Sequence, residues 1–499
     1  MYRTRQFTKC FLICLVLLLT SCSDENSSKL EIATSFSSAS KESFMNYNSF
    51  KTSTCKLLKD PEPQGIFVSQ TASATGDGTK ENPIDLTTAL SASSPVKEGE
   101  TIWIEEGVYE GGFTSELVGT QEKPIHIKPL PNNRVIIDTT KSEISGLTIN
   151  GAWSNFYGLE VLSRSTKRES SQNSSSPSDL KTNGGVSVYY GKNTKVINFI
   201  VHDNVGGGFA SWSPAYDSEL YGNIIYNNGW TADGRGHGHA IYAQNKTGYK
   251  KLTNNIIFFG FGTGIHVYTE GGQIEGFDVE DNVWFMTGAS DPRLSQRKDN
   301  CLIGGYQPVK RLTLKNNLGF SLNSRGTRVG YGGDVEGQTA VVINNYLSEN
   351  FWVAGNWAEL NVSNTTVFRG TTGSSFSQIN DLGENLFLDT PPLNGKKIVV
   401  SKNLYDAHRA RVVIYNYDKD ENVLVDLNKV LKVGEAYHIY SVYALFNEPL
   451  ISDVYDGSPV SIPMDSVSPI QPNGLDGIED ADNPHKTFGV FIVTHALCE

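Results

Sequence analysis

The 499-residue chain is poor in the residues that staple or ligate. It has six cysteines and no CxxC pair. Without thiols at ligand spacing, neither a zinc knuckle nor a thiol redox motif is indicated. Charge is scarce as well: Asp, Glu, Lys and Arg make up 19% of residues, and the formal net charge is −12. Such a balance argues against nucleic acid as a partner, although a local basic groove can still hold an anionic polymer. After Leu19 no apolar run is long enough for a membrane-crossing helix. No EF-hand loop or dense carboxylate run occurs, so a calcium site would have to be assembled from scattered residues. What the chain has in plenty is glycine (48), tyrosine (22) and phenylalanine (23). That composition suits strands and tight turns better than helices.

Residues 1–21 read as a processing segment, with Arg3, Arg5 and Lys9 ahead of an apolar core from Phe11 to Leu19. Leu19-Thr20-Ser21-Cys22 resembles the lipobox of bacterial lipoproteins. Ser23-Asp24-Glu25 is similar to the acidic surface-export tag on lipoproteins of glycan-degrading bacteria. The resemblance implies lipidation at Cys22, anchoring in the outer membrane and exposure at the cell surface. Residues 22–64 are polar and Ser-rich and read as a flexible tether. Of the cysteines left after processing, Cys301 sits in a strand-like run and is expected to be a small buried residue.

Order is expected from Gly65 onward. Gly76-Asp77-Gly78, Asn82-Pro83, a short helix from Leu86 to Leu90, Gly99-Glu100-Thr101-Ile102 and Gly107-Val108-Tyr109 follow one another. This opening resembles the capping helix and first coil of right-handed parallel β-helix proteins of the pectate-lyase-like class. A cap is physically required, because the end of such a helix otherwise exposes a sheet edge and an apolar cross-section. Beyond Pro124 a unit recurs loosely every 20–35 residues or so. Each repeat carries an Asn followed by apolar residues, at Asn198, Asn223, Asn255, Asn282, Asn317 and Asn345. The Asn either stacks into an amide ladder or serves a left-handed turn. Residues 164–183 are low-complexity and are expected to loop out as a mobile edge, with Lys167 and Arg168 within reach of an anionic ligand. The C-terminal hundred or so residues alternate in strand rhythm between Asp, Asn and Gly turns. The predicted architecture is all-β: a right-handed parallel β-helix over 65–385, followed by a small C-terminal antiparallel β-sandwich over 386–499. The second part resembles modules attached to secreted carbohydrate-active enzymes and reads as structural or ancillary.

Function concentrates between Tyr226 and Gly272, which hold three of the nine histidines. Ile241 and Ala243 alternate with Tyr242 and Gln244, and Ile265 and Val267 with His266 and Tyr268. Stacked in register, the second residue of each set faces outward, so that Tyr242 meets His266 and Gln244 meets Tyr268. Arg235, His237 and His239 arrive from the preceding Gly-rich turn; strict alternation turns His239 inward with Ile241, which would make it a corner or core residue bonded to backbone. Ser187, Tyr189 and Trp212 occupy outward positions on earlier coils, and Asp217, Asp233 and Glu270 are the acidic residues placed near the groove. Aromatic rings flanking polar groups along an extended groove suit a sugar chain. The candidate catalytic residues are Arg235, His237, His239, Tyr242, His266 and Tyr268. The candidate substrate-binding residues are Tyr189, Trp212, Asp233, Gln244 and Glu270. A divalent metal on His237, His239 and His266 with Asp233 or Glu270 is a further option.

Taken together, the cap and coils resemble a polysaccharide-acting member of the pectate-lyase-like β-helix superfamily. The string YNNGW…GRGHGHAIYAQN is similar to a segment of secreted β-helix repeat proteins. It matches neither the calcium-carboxylate pattern of pectate lyases nor the Lys/Arg pair of the chondroitinase-B and alginate-lyase type. It also lacks the Asp-Pro-His motif of alginate epimerases, to which Asp291-Pro292-Arg293 is the nearest string. The leading expectation is a surface-anchored lyase that cleaves a uronate-containing glycan by β-elimination. In it His266 or His237 is the base, Tyr242 or Tyr268 the acid, and Arg235 and Gln244 neutralise the carboxylate. The alternatives are a glycoside hydrolase on the same scaffold and a non-catalytic glycan-binding lipoprotein.

Overall fold

A computed structural model describes residues 62–291, 298–322, 325–332, 335–373, 375–465, 467–475 and 484–495. The lipobox with Cys22, and nearly all of the tether, lie outside the described residues. The first strand, Ile66–Ser73, is covered by a short helix, Leu86–Leu90. Asp85 caps that helix by accepting the Thr88 N–H (3.0 Å) and hydroxyl (2.6 Å). Its buried Leu86, Ala89 and Leu90 close the apolar end of the coil.

From there the chain winds as a parallel β-helix whose coils build three sheets of 12, 11 and 10 strands among the described residues. Alternation sets the register. Phe209, Ile241, Ile265 and Cys301 are Cα partners on successive coils, and all are buried. A one-residue slip would carry this stack into solvent, at a cost of about 1.5–3 kcal/mol for each large apolar side chain. Their outward neighbours Ala210, Tyr242, His266 and Leu302 pair in the same register.

Both readings of the repeated Asn hold, at adjacent positions. Asn223, Asn255, Asn282, Asn317 and Asn345 form a buried ladder in which each Nδ2 donates to the next Oδ1 at 2.9–3.1 Å. The residue before each of the last four, Asn254, Asp281, Asn316 and Asn344, is the left-handed one, with φ between 56° and 58°. Asn198 belongs to this left-handed class and not to the ladder: its φ is 56°, and the N–H of Phe199 donates to the Asn223 amide oxygen.

The low-complexity insertion does not loop out. Arg168 is fully buried. Its guanidinium donates to the carbonyls of Asn204 (3.1 Å) and Gly229 (2.7 Å) and pairs with Asp203 at 2.9 Å. Glu169 forms a parallel bridge with Thr231, and Leu180 packs with Val205 and Trp230. One arginine with a complete set of acceptors, and one leucine, hold an otherwise polar segment against the coils. Arg168 is therefore a structural tie and is not available to a ligand.

The last coil strand is Leu386–Leu388, which pairs with Thr366–Phe368, and the antiparallel part begins at Lys396–Lys402. Five strands form one sheet and Asn422–Val425 pairs with Val460–Pro463 in a second. Apolar side chains between the two, including Val412, Val423 and Ile462, make a core of their own. The opposite face of the larger sheet offers Val413, Tyr415 and Val490 to Tyr226, Phe258 and Phe285 on the outside of the coils. The module is thus bound to the β-helix through an apolar interface, on a different sheet from the histidines.

Candidate active site

A cavity of about 770 Å³ lies over the sheet that carries Ile241–Ala243 and Ile265–Val267. Its floor is the outward face of those strands. One wall is the hairpin of Trp230–Ala232 and Arg235–His237, and Ser175, Ser176 and Thr182 of the insertion add another. The hairpin turns on Asp233-Gly234, both with positive φ (48° and 70°), as a two-residue antiparallel connection requires. That geometry leaves Asp233 exposed at the tip, outside the cavity lining, where the sequence placed it in the groove.

Tyr242 and His266 are Cα partners with ring centroids 5.7 Å apart, edge to face. Both are half-buried and line the cavity. Gln244 donates to the Tyr242 hydroxyl (2.8 Å), and Tyr268 stacks on His266 at 4.8 Å. Trp212 meets the Tyr242 ring at 5.7 Å and donates to Ser187 Oγ at 3.2 Å. Tyr189 is exposed beyond the lining and touches Trp212 edge-on at 6.1 Å. Asp217 sits at a left-handed corner and accepts the Tyr249 N–H (2.8 Å), away from the cavity.

His239 does not follow strict alternation inward. Gly238, with φ +79°, turns the chain just before the strand begins, and His239 lines the cavity. Its Nε2 is 3.0 Å from Nδ1 of His266, while its Nδ1 accepts the Thr263 N–H at 3.2 Å. A backbone N–H can only donate, so the neutral His239 carries its proton on Nε2 and gives it to His266 Nδ1. Neutral His266 is then left with its proton on Nε2. His237 stacks on Trp230 at 4.7 Å, and its Nε2 lies 3.3 Å from Asn173 Oδ1. With the amide oxygen as acceptor, the free lone pair of His237 is on Nδ1.

Electrostatics keep all three rings neutral. Burial, then the charges of Arg235 and Lys298, lower His237 to about 4. Burial lowers His266 to about 4, and burial with the neighbouring His266 pushes His239 well down. Burial raises the Tyr242 phenol, and raises Tyr268 to about 12, so both stay protonated at neutral pH. Lys298 and Asp299 are the charged groups that the sequence reading missed. Burial, with Arg235 beside it, lowers the Lys298 ammonium, and burial raises Asp299. The Lys-Asp-Asn string at 298–300 was the available signal, but only the winding of the next coil brings Lys298 to the histidines.

Among the described lining residues Glu270 is the one carboxylate, and it is exposed. No group of three or more His, Cys, Asp or Glu converges as metal ligands among the described residues. Of the groove's imidazoles, His239 and His266 are committed to backbone and to each other, His237 keeps one free nitrogen, and a single carboxylate joins them. They do not fit an oxygen-loving divalent cation.

The family described as Pel9A-like, right handed beta helix region, matches residues 66–327, just over half of the chain. The chain belongs to this family. A stretch of 107 residues is 36% identical to pectate lyase L of Thermoclostridium stercorarium, covering 20% of this chain and 8% of that protein. The solved pectate lyase Pel9A aligns at 15% identity with a TM-score of 0.45, covering 65% of this chain and 80% of its own. An alginate lyase from Paenibacillus sp. str. FPU-7 aligns at 18% identity and a TM-score of 0.37, covering 65% and 99%. Among the described residues of this Pel9A-like chain, no helix is long and apolar enough to cross a membrane.

Proposed function

We propose that the groove binds a uronate-containing polysaccharide and cleaves it by β-elimination. The observation that carries this reading is the pairing of neutral histidines and protonated tyrosines with the Arg235 cation in a groove lined by one carboxylate. A hydrolase needs two carboxyl groups, about 5–5.5 Å apart for retention or about 6.5–9.5 Å for inversion. Glu270 has no carboxylate partner among the described lining residues. Elimination needs instead a base for the C5 proton, an acid for the leaving oxygen, and positive charge on the carboxylate.

In this reading Arg235 and Gln244 hold the uronate carboxylate, which acidifies the neighbouring C–H. His237 Nδ1 takes the C5 proton. The C5–H pair forms the C4=C5 double bond, and the C4–O bond breaks with its electrons going to the leaving oxygen. Tyr242 protonates that oxygen. His266, kept as the Nε2–H tautomer by His239, serves as a hydrogen-bond donor in place of the base role that the sequence suggested. The named activity of the partial relative, a pectate lyase, is of the same reaction class. The lipobox at Cys22 supports placement of the enzyme on the outer-membrane surface, which labelling with a fatty-acid analogue in wild type and Cys22→Ala would test.

The test of the activity is incubation with a panel of acidic and neutral polysaccharides. Near-ultraviolet absorbance from an unsaturated product should appear with an acidic one and vanish in His237→Ala. New reducing ends without that absorbance would overturn the reading.

A further inference from the structure

Past His266 the sheet surface stays aromatic where an ordinary solvent face would turn polar. The outward positions run His266, Leu302, Arg328 and Trp352, all Cα partners on successive coils. Tyr268 meets Tyr331 at 5.3 Å, and the Arg328 guanidinium lies over Tyr331 at 4.7 Å and over Trp352 at 5.1 Å. Leu302 is buried, yet Trp352 is 38% exposed and the neighbouring Tyr306 57%. Water-exposed tryptophan and tyrosine around a planar cation are not accounted for by the fold, since the coil core behind them is already closed by Val329 and Val353.

Charge points the same way. Lys298, Arg325 and Arg328 all bear on the buried carboxylate of Asp299, so three cations share that acid in a chain of formal charge −12. Arg328 is held flat between two rings, and its Nη2 donates to the Tyr331 carbonyl at 3.3 Å. A guanidinium fixed in this way keeps a planar edge for a carboxylate, while the rings offer faces for pyranose C–H groups. Counting coils from Tyr189 to Trp352 at about 4.8 Å each, the ring track is about 29 Å long.

We propose that Arg328, Tyr331 and Trp352 form a distal subsite for an acidic polysaccharide chain, so that the polymer lies along the β-helix axis from the cavity to Trp352. The inference rests on reading the groove as a polysaccharide cleft. It does not require that cleavage be an elimination. It is distinct from the cavity described above, whose lining stops at Gly271.

Native gel electrophoresis of the full chain through gels cast with polygalacturonate or alginate tests it, with a neutral glucan gel for reference. The His237→Ala background removes turnover, so binding is read apart from chemistry. Retardation is expected in at least one anionic gel, and Trp352→Ala or Arg328→Gln should weaken it about ten-fold. Trp352→Phe should recover much of the loss, which a misfolded protein would not allow. The Arg311–Tyr249 pair, of the same chemistry at 4.9 Å on another sheet, is the control. Its Tyr249→Ala variant should run as the parent does. No retardation in either anionic gel, or equal retardation of Trp352→Ala and parent, would overturn the subsite. Retardation that depends on Trp352 in a protein forming no unsaturated product would retain the subsite and discard the elimination.

Discussion

His239 Nε2 stands 3.0 Å from His266 Nδ1, and the Thr263 N–H on the far side of His239 decides which of the two donates. The relay fixes the outer ring of the pair as a donor toward the groove. His239→Ala frees His266 to take either tautomer and should lower kcat about 10²-fold, with a smaller change in KM. Steady-state kinetics read the split, and nitrogen NMR of the imidazoles should find His266 protonated on Nε2 at neutral pH. An unchanged kcat would remove the relay from the mechanism.

The acid side of the pH profile follows from His237. A base acts only when unprotonated, and burial with Arg235 and Lys298 lowers this ring to about 4. Activity should therefore persist through pH 5 and fall as the pH drops through about 4. Lys298→Met removes one of the charges, so the acid limb of kcat/KM should move up toward the ordinary histidine value. A limb that stays in place in that variant would assign it to another group.

Lys250 is buried beneath the groove, where its ammonium donates to the carbonyls of Ser211 (3.2 Å), Trp212 (2.8 Å) and Gln244 (2.8 Å). Burial pushes its pKa well down. Lys250→Met fits the volume but leaves the Gln244 carbonyl without a donor, at about 1–3 kcal/mol, while the Ser211 and Trp212 carbonyls keep the N–H groups of Gln244 and Ala215 (3.0 Å each). Denaturant unfolding should show a loss of about 1–3 kcal/mol. Loss confined to the fraying of one turn would contradict a supporting role for Trp212 and Gln244.

His202 ties the coils to charges under the C-terminal module. Its two nitrogens meet Asp203 (2.8 Å) and Glu160 (3.1 Å), Glu160 also pairs with Arg134 (2.8 Å), and Phe446 packs on the ring at 5.7 Å. The carboxylates outweigh burial and raise His202 to about 9. A raised histidine stabilises fully below its ordinary value of 6.5, and the gain is lost as pH rises through about 9. His202→Gln should thus cost about 3 kcal/mol near pH 6 and progressively less toward pH 9.5 or so. A pH-independent difference would mean that the ring is held neutral.

Local alternation made much of this legible in advance. Ile241, Tyr242, Ile265 and His266 reveal their faces because period two and burial leave one workable register. The Asn ladder and the capping helix were readable for the same reason, since each is a local pattern repeated or closed at a known place. His239 was not, because one left-handed glycine beside it breaks the alternation. Nor was Arg168, whose acceptors come from residues 35 to 305 positions away in the chain. Lys298 and the Arg328–Trp352 pair were missed for a related reason. Their meaning comes from which coil lies next to which.

Elimination in the histidine groove is distinguished from hydrolysis by digesting the active acidic polysaccharide in heavy-oxygen water and weighing the products. Elimination breaks the C4–O bond without adding water, so the products should carry a double bond and no heavy oxygen from the cleavage step. Incorporation of one heavy oxygen per cut, with no unsaturated end, would contradict it and make the protein a hydrolase.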